Sequence, residues 1–411
     1  MDSKKNKVLA SLFAIVLTGS VQTVNAQEQL VFNEKDFSVP SWTQLRRTIS
    51  KMTSSSTPYC INMTLNGNPS FEMAFAWFTN ESCSSGWIQI VEKADAKVED
   101  FAAALSVEAN HTLVKDLNYS IKKNNIEGVT PNEKKSYYSH KVKVTGLKPG
   151  TEYSYRVGTE DGWSEIGRFV TAQKTYENGY SFIYITDTQA QNDEMFDVTQ
   201  NTVHIAMNMF PDSKFVLCNG DLVETSGASN SEWEYEQWFS TMQDVWQNYP
   251  LMVTQGNHDT SSNHNFFYHF NNDTTFNATY PIHTDMNGTV FSIVYGDALF
   301  LVINYEDWKT DGYFENLAQW MRKEVEANKN VKWRIASFHK NMFTGSKSHQ
   351  DDGDGQTHAD AVGGHGGEGQ SGTGAEDKPQ NRVFVDQAIG QNLHFAVFTH
   401  LDSPAFQGII A

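Results

Sequence analysis

The chain has 411 residues and a strongly acidic composition, with 49 Asp and Glu against 31 Lys and Arg, giving a formal net charge of −18. This length exceeds what one ordinary hydrophobic core supports and suits two domains. The acidic balance argues against a nucleic-acid-binding protein, because such proteins use Lys and Arg to displace counterions from phosphates. A small phosphorylated substrate is not excluded, since a bound metal can reverse the local charge of a site.

Residues 1–26 have the three parts of a secretory signal peptide. Lys4, Lys5 and Lys7 form a positive head, residues 8–18 an apolar core, and residues 24–26 a small-residue exit. The alternative is a membrane anchor, but a span needs roughly 20 apolar residues and this run is shorter. We therefore expect a secreted mature chain without a membrane span.

Residues 27–172 are expected to form a leader followed by an all-β sandwich. Short stretches in which apolar and polar residues alternate are typical of strands with one exposed face. These stretches are residues 71–79, 87–91, 139–147 and 152–159. Several such strands separated by turns favour a β-sandwich.

The three cysteines are Cys60, Cys83 and Cys218. Secretion would permit a disulfide between Cys60 and Cys83, which lie in the same region, but spacing alone does not fix a pairing. Cys218 lies in an apolar strand pattern and is predicted to be a buried core residue.

Residues 178–411 have a different pattern, in which nearly unbroken apolar strands alternate with helix-like stretches. The strands are residues 180–187, 214–221, 250–259, 331–340 and 392–400, and the helix-like stretches are residues 201–210, 231–246 and 317–328. Apolar strands separated by helices indicate a sheet covered by helices. Residues 290–304 instead indicate a hairpin that turns at Gly296 and Asp297. We therefore predict an α/β domain with mixed sheets after the sandwich.

Residues 345–380 are rich in Gly, His and Asp and contain almost no apolar side chains. Composition favours a disordered surface loop. The alternative is a mobile lid in which His349, His358 and His365 capture metal.

A polar residue stands at or just after the end of each apolar strand. These residues are Asp187, Asp221, Asn257 with His258, His339 and His400. In open α/β sheets, ligands bind at the carboxyl ends of the strands. Carboxylate, amide and imidazole groups suit zinc, iron or manganese. Two such metals bridged by one carboxylate activate water and stabilise a transferring phosphoryl group, and a flanking imidazole can protonate the leaving oxygen.

Each of these residues also has a simpler explanation when it is taken alone. Asp187 could be a helix N-cap, and Asn257 a turn residue. His339 and His400 could be core histidines. The convergence of five strand ends on metal-ligating residue types favours a site over these explanations.

Two further sets of side chains, one of tryptophans and one of histidines, are candidates for roles in binding. Trp233, Trp238 and Trp246 recur near helical spacing and are predicted to be core residues. The other set follows residue 259 and could reach a substrate or lie at the surface. Its members are His264, His269 and His283.

Two motifs carry a family resemblance. Gly220–Asp221 followed by Gly-Asn-His-Asp at residues 256–259 resembles the calcineurin-like metallophosphoesterases. The segment at residues 146–158 resembles the fibronectin type III-like N-terminal domain of purple acid phosphatases. Together these resemblances cover nearly all of the mature chain.

The resemblance implies a role for each candidate residue. Asp187 would bind the first metal and Asp221 would bridge both. Asn257, His339 and His400 would bind the second metal. His258 would face the substrate phosphate beside Asn257 and would help the leaving group depart, so His258 and Asp221 are the expected catalytic residues.

Three positions depart from the family pattern, all on the side of the first metal. Gln189 stands where the family often has His or Gly, and Glu224 stands where purple acid phosphatases have the Tyr that gives their colour. Asp402 stands where the second His of Gly-His-x-His is expected, and it remains a candidate metal ligand. The family usually has further strands beyond the position of Ala411, so we expect a truncated C-terminus.

The expected function is a secreted hydrolase that uses two metal ions, either divalent or trivalent, to cleave phosphate esters of small molecules. One alternative is a catalytically impaired binding or adhesion protein on the same fold, motivated by Gln189, Glu224 and Asp402. A second alternative is a hydrolase of sulfate or other non-phosphate esters. The sequence does not decide whether the metals are iron, zinc or manganese. It also leaves open the substrate and the oligomeric state.

Overall fold

The structure is a computed structural model, and it describes residues 56–119, 132–224, 232–260, 264–281, 287–304 and 310–339. The predicted signal peptide, the Gly-rich segment and the predicted strand that carries His400 and Asp402 lie outside these ranges. None of the helices in the described ranges is both long enough and apolar enough to cross a lipid bilayer.

The first part of the described chain is almost entirely β structure, apart from a short 3-10 helix at Val98–Ala103. Its strands are β1 (Tyr59–Thr64), β2 (Met73–Asn80), β3 (Trp87–Val91), β4 (Leu105–Glu108), β5 (Asn110–Asn118), β6 (Lys134–Val144), β7 (Glu152–Thr159), β8 (Gly162–Trp163) and β9 (Gly167–Val170). β1, β2, β6 and β5 form one antiparallel layer, and β4, β3, β7, β8 and β9 form the other. The inward side chains of the two layers meet, as where the rings of Phe75 and Tyr155 lie 4.7 Å apart. The predicted sandwich is confirmed.

The second part alternates strands and helices, as predicted. Its elements are β10 (Ile183–Ile185), α1 (Asp193–Met209), β11 (Val216–Asn219), α2 (Glu232–Thr241), α3 (Gln243–Trp246), β12 (Leu251–Thr254), α4 (Asn265–His269), α5 (Thr275–Thr279), β13 (Phe291–Tyr295), β14 (Ala298–Val302), α6 (Tyr313–Ala327) and β15 (Trp333–Ser337). β10, β11 and β12 are parallel to one another, and β13, β14 and β15 form a second, mixed sheet. The α/β prediction with mixed sheets is therefore confirmed, including the hairpin over residues 291–302.

The two parts share one sheet, which the sequence did not indicate. β1 pairs in parallel with β12, so that the strand order β10-β11-β12-β1-β2-β6-β5 runs continuously across both parts. Side chains of β1 extend this contact: Thr64 Oγ1 donates to the Asn271 carbonyl at 2.8 Å, and Asn62 Nδ2 donates to the His269 carbonyl at 3.0 Å. The segment that follows β12 is therefore hydrogen-bonded to β1 of the sandwich.

The structure places the three cysteines and the three predicted core tryptophans. Cys60 and Cys83 are both free, so no disulfide joins them, and Cys218 is buried as predicted. The predicted core tryptophans Trp233, Trp238 and Trp246 are fully buried. The rings of Trp238 and Trp246 stack with their centroids 4.5 Å apart.

Candidate metal centre

Strand ends from the two sheets meet at one edge of the second part, and Asn219 joins them. Its side chain accepts a hydrogen bond from Ser337 Oγ at 2.7 Å and donates one to the Phe338 carbonyl at 3.1 Å. Thr254 Oγ1 and Ser337 Oγ are a further 2.7 Å apart. These buried bonds hold the ends of β11, β12 and β15 together. Sequence reasoning missed Asn219, because it is the last residue of an apolar strand and directly precedes the more conspicuous Gly-Asp motif.

Three of the predicted metal ligands come together at this edge. Asp187, Asp221 and His339 each present a ligand atom, and these atoms all lie within 4.8 Å of one another. Asp221 and His339 are buried and Asp187 is half-buried. Two carboxylates and an imidazole converging at a sheet edge form a donor set that suits a transition metal ion.

The backbone at this edge is strained. Asp187, Gln189 and Asp221 have φ values of 53°, 25° and 51°, in the left-handed region that residues other than Gly rarely adopt. The two loops hold each other, because Asp187 N donates to the Gly220 carbonyl at 3.1 Å and Gln189 N donates to the Asp221 carbonyl at 3.2 Å. Strain of this kind costs on the order of 1–3 kcal/mol per residue and concentrates at functional sites.

The glycines of the two motifs are required by close packing. A Cβ atom added at Gly256 would lie 2.2 Å from Asp221 Oδ1. One added at Gly220, whose φ is 86°, would lie 2.8 Å from both Gly256 N and His339 Nδ1. The glycines thus let the strand ends approach closely enough for Asp221 and His339 to meet.

His339 is oriented by the backbone of β11. Its Nδ1 donates to the Asn219 carbonyl at 2.8 Å, which leaves Nε2 facing Asp221 Oδ2 at 3.1 Å. Burial disfavours the charged imidazole, but the hydrogen bond and the charge of Asp221 outweigh burial and raise the pKa of His339 to about 10. A histidine held through Nδ1 by a carbonyl presents Nε2 to a metal in the way that metal-ligating histidines usually do.

The Asp221 carboxylate is the centre of the site. Its Oδ1 accepts from His258 N at 2.8 Å, and its Oδ2 accepts from the side-chain amide of Gln189 at 2.9 Å. Gln189 and His339 therefore contact the same carboxylate oxygen. Gln189, which departs from the family pattern, thus contacts the residue that the family resemblance predicts to bridge the two metals.

His258 lies beside this carboxylate and is partly exposed. Its Nδ1 donates to the backbone carbonyl of Glu224, and its Nε2 lies 3.9 Å from Asp221 Oδ2. The Glu224 carboxylate lies 4.0 Å from Nδ1. The second departure from the family pattern, Glu224, is thus a neighbour of His258.

Asp259, the last residue of the Gly-Asn-His-Asp motif, is buried and supports the loops. Its carboxylate accepts from Leu222 N at 3.1 Å, Gly256 N at 2.9 Å and Tyr235 Oη at 3.2 Å. Burial, and then the charge of Asp221, raise the pKa of Asp259 to about 7. Sequence reasoning gave Asp259 no role, although the motif itself contained it.

The remaining candidates fall in different places. Asn257 is half-buried in the turn after β12, between two residues that contact Asp221. His264 precedes α4 in the left-handed region. His269 is neither at the surface nor near a substrate, because it is buried, with Nε2 at 2.8 Å from Glu232 Oε1. His283, His400 and Asp402 lie outside the described residues.

Comparisons with known proteins agree with this architecture. Residues 58–171 match the family model described as purple acid phosphatase, N-terminal domain, and residues 180–365 match the model described as calcineurin-like phosphoesterase. The chain is 25% identical over 230 residues to acid phosphatase type 7 of Mus musculus, which covers 51% of this chain and 46% of that protein.

One solved structure shows the same fold. The purple acid phosphatase PPD1 from yellow lupin (Lupinus luteus) seeds has a TM-score of 0.52 and 15% identity, with 73% of this chain and 54% of that chain covered. The chain thus spans about half the length of these relatives. The chain therefore contains a purple acid phosphatase N-terminal domain followed by a calcineurin-like phosphoesterase domain.

Proposed function

We propose that this chain hydrolyses phosphate esters of small molecules with the help of two metal ions. The observation that carries the proposal is the meeting of Asp187, Asp221 and His339 within 4.8 Å at the strand ends. His258 lies beside them, where it can contact a phosphate. Family membership supports metal-dependent hydrolysis of phosphate esters by such a site.

The donor set determines where the metals would be held. Asp187 and Asp221 would hold the first ion, and Asp221, Asn257 and His339 the second, with His400 and Asp402 as further candidates. When bound, the metals supply a Lewis acid that activates water and offsets the charge of the phosphoryl oxygens. Nitrogen and oxygen donors of this kind suit iron, zinc and manganese.

The residues of the chain position the reaction and supply a proton. The backbone N–H of His258 donates to Asp221 Oδ1, so the carboxylate that would hold both ions has a fixed orientation. The Nδ1–H of His258 is fixed on the Glu224 carbonyl, which directs Nε2 toward the centre. In its protonated form, His258 would donate the Nε2 proton to the leaving oxygen of the ester, as a general acid does.

The proposal extends to acid phosphatase-like activity outside the cytoplasm. It is supported by the charged head, short apolar core and small-residue exit of residues 1–26. We also propose that the N-terminal sandwich is a fibronectin type III-like domain.

A second candidate function is a binding protein whose metal site has lost activity. It is favoured by the Gln189 amide, which donates at 2.9 Å to the Asp221 oxygen that His339 also contacts. An amide that donates to this oxygen competes with a metal ion for its lone pairs.

Hydrolysis and chelation separate the two candidates. The purified mature chain is assayed with a chromogenic phosphate monoester and a matching sulfate ester, before and after treatment with a chelator. We expect phosphate hydrolysis that chelation removes and added metal restores. A folded chain that binds metal without hydrolysing the phosphate ester would support the binding protein, and preferential sulfate hydrolysis would redirect the substrate class.

A further inference from the structure

Two glutamates in the first turn of α2 are completely buried. Glu232 and Glu234 are both 0% exposed. Burying a carboxylate is costly unless hydrogen bonds or charges compensate it. Each of the two therefore needs a partner, and the partners differ.

Glu232 has a structural role. Its carboxylate accepts from Asn265 Nδ2 and lies 2.8 Å from His269 Nε2. His269 in turn stacks on Tyr235 with ring centroids 4.7 Å apart. These contacts join α2 to α4 and stay within the hydrophobic core.

Glu234 instead reaches the loop that leaves the metal centre. Its Oε2 accepts a hydrogen bond from the backbone N–H of Glu224 at 3.1 Å. The carbonyl of the same residue, Glu224, accepts the hydrogen bond from His258 Nδ1. Glu224 is therefore held from one side by a buried carboxylate and holds His258 on the other.

This chain of hydrogen bonds selects one form of the imidazole. A carbonyl oxygen only accepts hydrogen bonds, so the Nδ1 of His258 must carry a hydrogen. In the neutral ring, Nε2 is then the unprotonated nitrogen, and it is the one that lies 3.9 Å from Asp221 Oδ2. If the Glu224 backbone turned, this preference for Nδ1–H would be lost.

We propose that Glu234 is a positioning residue for His258, acting through the Glu224 backbone to keep Nδ1 protonated and Nε2 directed at the metal centre. Glu234 does not contact the reacting atoms. The effect on hydrolysis rests on the proposed function, whereas the effect on the imidazole does not. The competing explanation is that an acidic residue in the first turn merely favours the helix dipole.

The test uses three variants of the full-length mature chain. Glu234→Met keeps most of the side-chain volume and removes the acceptor, and Glu234→Gln keeps an acceptor oxygen. Glu232→Met is the matched control, since it removes the other buried carboxylate of the same turn without touching the loop. The first measurement is the nitrogen NMR spectrum of the His258 ring in metal-free protein labelled with 15N-histidine, assigned with His258→Gln.

In the neutral ring, we expect the wild type, Glu234→Gln and Glu232→Met to carry the hydrogen on Nδ1. Glu234→Met is expected to show a mixture of the two neutral forms. An unchanged ring form in Glu234→Met would overturn the proposal. If Glu234→Met does not fold, the spectrum of the wild type tests the proposal. A wild-type His258 ring with hydrogen on Nε2 alone would also overturn the proposal.

Hydrolysis gives the second measurement. We expect Glu234→Met to lower kcat roughly tenfold to a hundredfold, as misplacement of a catalytic group does, with KM changed less than about twofold. Glu234→Gln is expected to restore kcat. If Glu232→Met lowers kcat and Tm as much as Glu234→Met does, the role is structural and the proposal fails. If the wild type does not hydrolyse phosphate esters at all, the proposed function fails. The NMR measurement of the His258 ring still tests the positioning role of Glu234.

Discussion

The Nε2 atom of His339 lies 3.1 Å from Oδ2 of Asp221, although the two residues follow strands of different sheets. Asn219 makes this contact possible, since its side chain binds the end of β15 and its carbonyl accepts from His339 Nδ1. The contact links two of the candidate metal ligands. Its behaviour with pH, metal and mutation therefore tests the site.

The first prediction concerns the stability of the metal-free protein. The pKa of His339 is raised from 6.5 to about 10, so the folded state binds an extra proton between these values. The stabilising effect is complete below pH 6.5 and is lost as the pH rises toward 10. We expect the free energy of unfolding to fall by on the order of a few kcal/mol across this window.

Urea denaturation of chelator-treated protein at a series of pH values measures this effect. His339→Gln is the control and should show a smaller slope between pH 6.5 and 10. A wild-type stability that stays constant or increases over that range would contradict the charged His339–Asp221 pair.

The second prediction concerns protons released by metal binding. A histidine must be neutral to bind a metal through Nε2, whereas His339 is protonated near neutral pH in the metal-free chain. Zinc binding at pH 7.5 should therefore release a proton from His339. Calorimetry in buffers of different ionisation enthalpy measures the number released, and His339→Gln should reduce that number by about one. An equal release by both proteins would argue against ligation through His339.

The third prediction concerns Gly256. A Cβ atom there would lie 2.2 Å from Asp221 Oδ1, so Gly256→Ala must displace the carboxylate. We expect Gly256→Ala to lose metal and to be destabilised by about 1–3 kcal/mol, the usual cost of overpacking.

Gly146→Ala provides the control. Gly146 has a φ of 77° with no atom within 4 Å of an added Cβ, so it tests backbone strain without a clash. We expect this variant to be less stable by about 1–2 kcal/mol, with its metal content unchanged. Metal content of the purified proteins is measured by elemental analysis. Full metal occupancy in Gly256→Ala would contradict the packing argument.

The fourth prediction concerns Gln189. Its amide donates to the Asp221 oxygen that His339 also contacts, and it stands on the side of the first metal. Gln189→His replaces this donor with a metal ligand, so we expect zinc or manganese affinity to rise roughly tenfold. Titration with a competing chelator measures the affinity, with Gln191→His as a control for a new histidine in the same loop. Unchanged or weaker binding in Gln189→His alone would show that Gln189 does not limit the site.

The sequence was sufficient to predict the strand ends of the site. Asp187 and Asp221 follow neighbouring parallel strands, whose carboxyl ends meet at one edge of a sheet. His339 follows an apolar strand of the second sheet, and its arrival at the same place depends on the contacts of Asn219. The helix α1 begins at Asp193, whereas the predicted helix-like stretch begins at residue 201. The side chain of Asn192 caps the helix there by accepting from Met195 N at 3.0 Å.

Other features depend on contacts between distant segments. The apolar pattern of β1 is the same whether the strand pairs with β2 alone or with both β2 and β12. The shared sheet was therefore not predictable from the sequence. The sequence around His269 does not show that this histidine is buried. Its place in the core is explained by its contact with the buried carboxylate of Glu232. The hydrogen bond from Glu224 N to Glu234 likewise joins two residues whose spacing shows no pattern.

The most direct test of the central claim is Asp221→Asn, measured for both bound metal and hydrolysis of a chromogenic phosphate ester. An amide in place of the bridging carboxylate removes the charge that would hold both ions, while the neighbouring backbone donors still find an acceptor. Asp212→Asn, at an exposed position, is the matched control. We predict that Asp221→Asn folds, loses metal and loses at least about a hundredfold in kcat/KM, while Asp212→Asn keeps both. An Asp221→Asn protein that retains metal and full hydrolysis would contradict a metal centre built on Asp221.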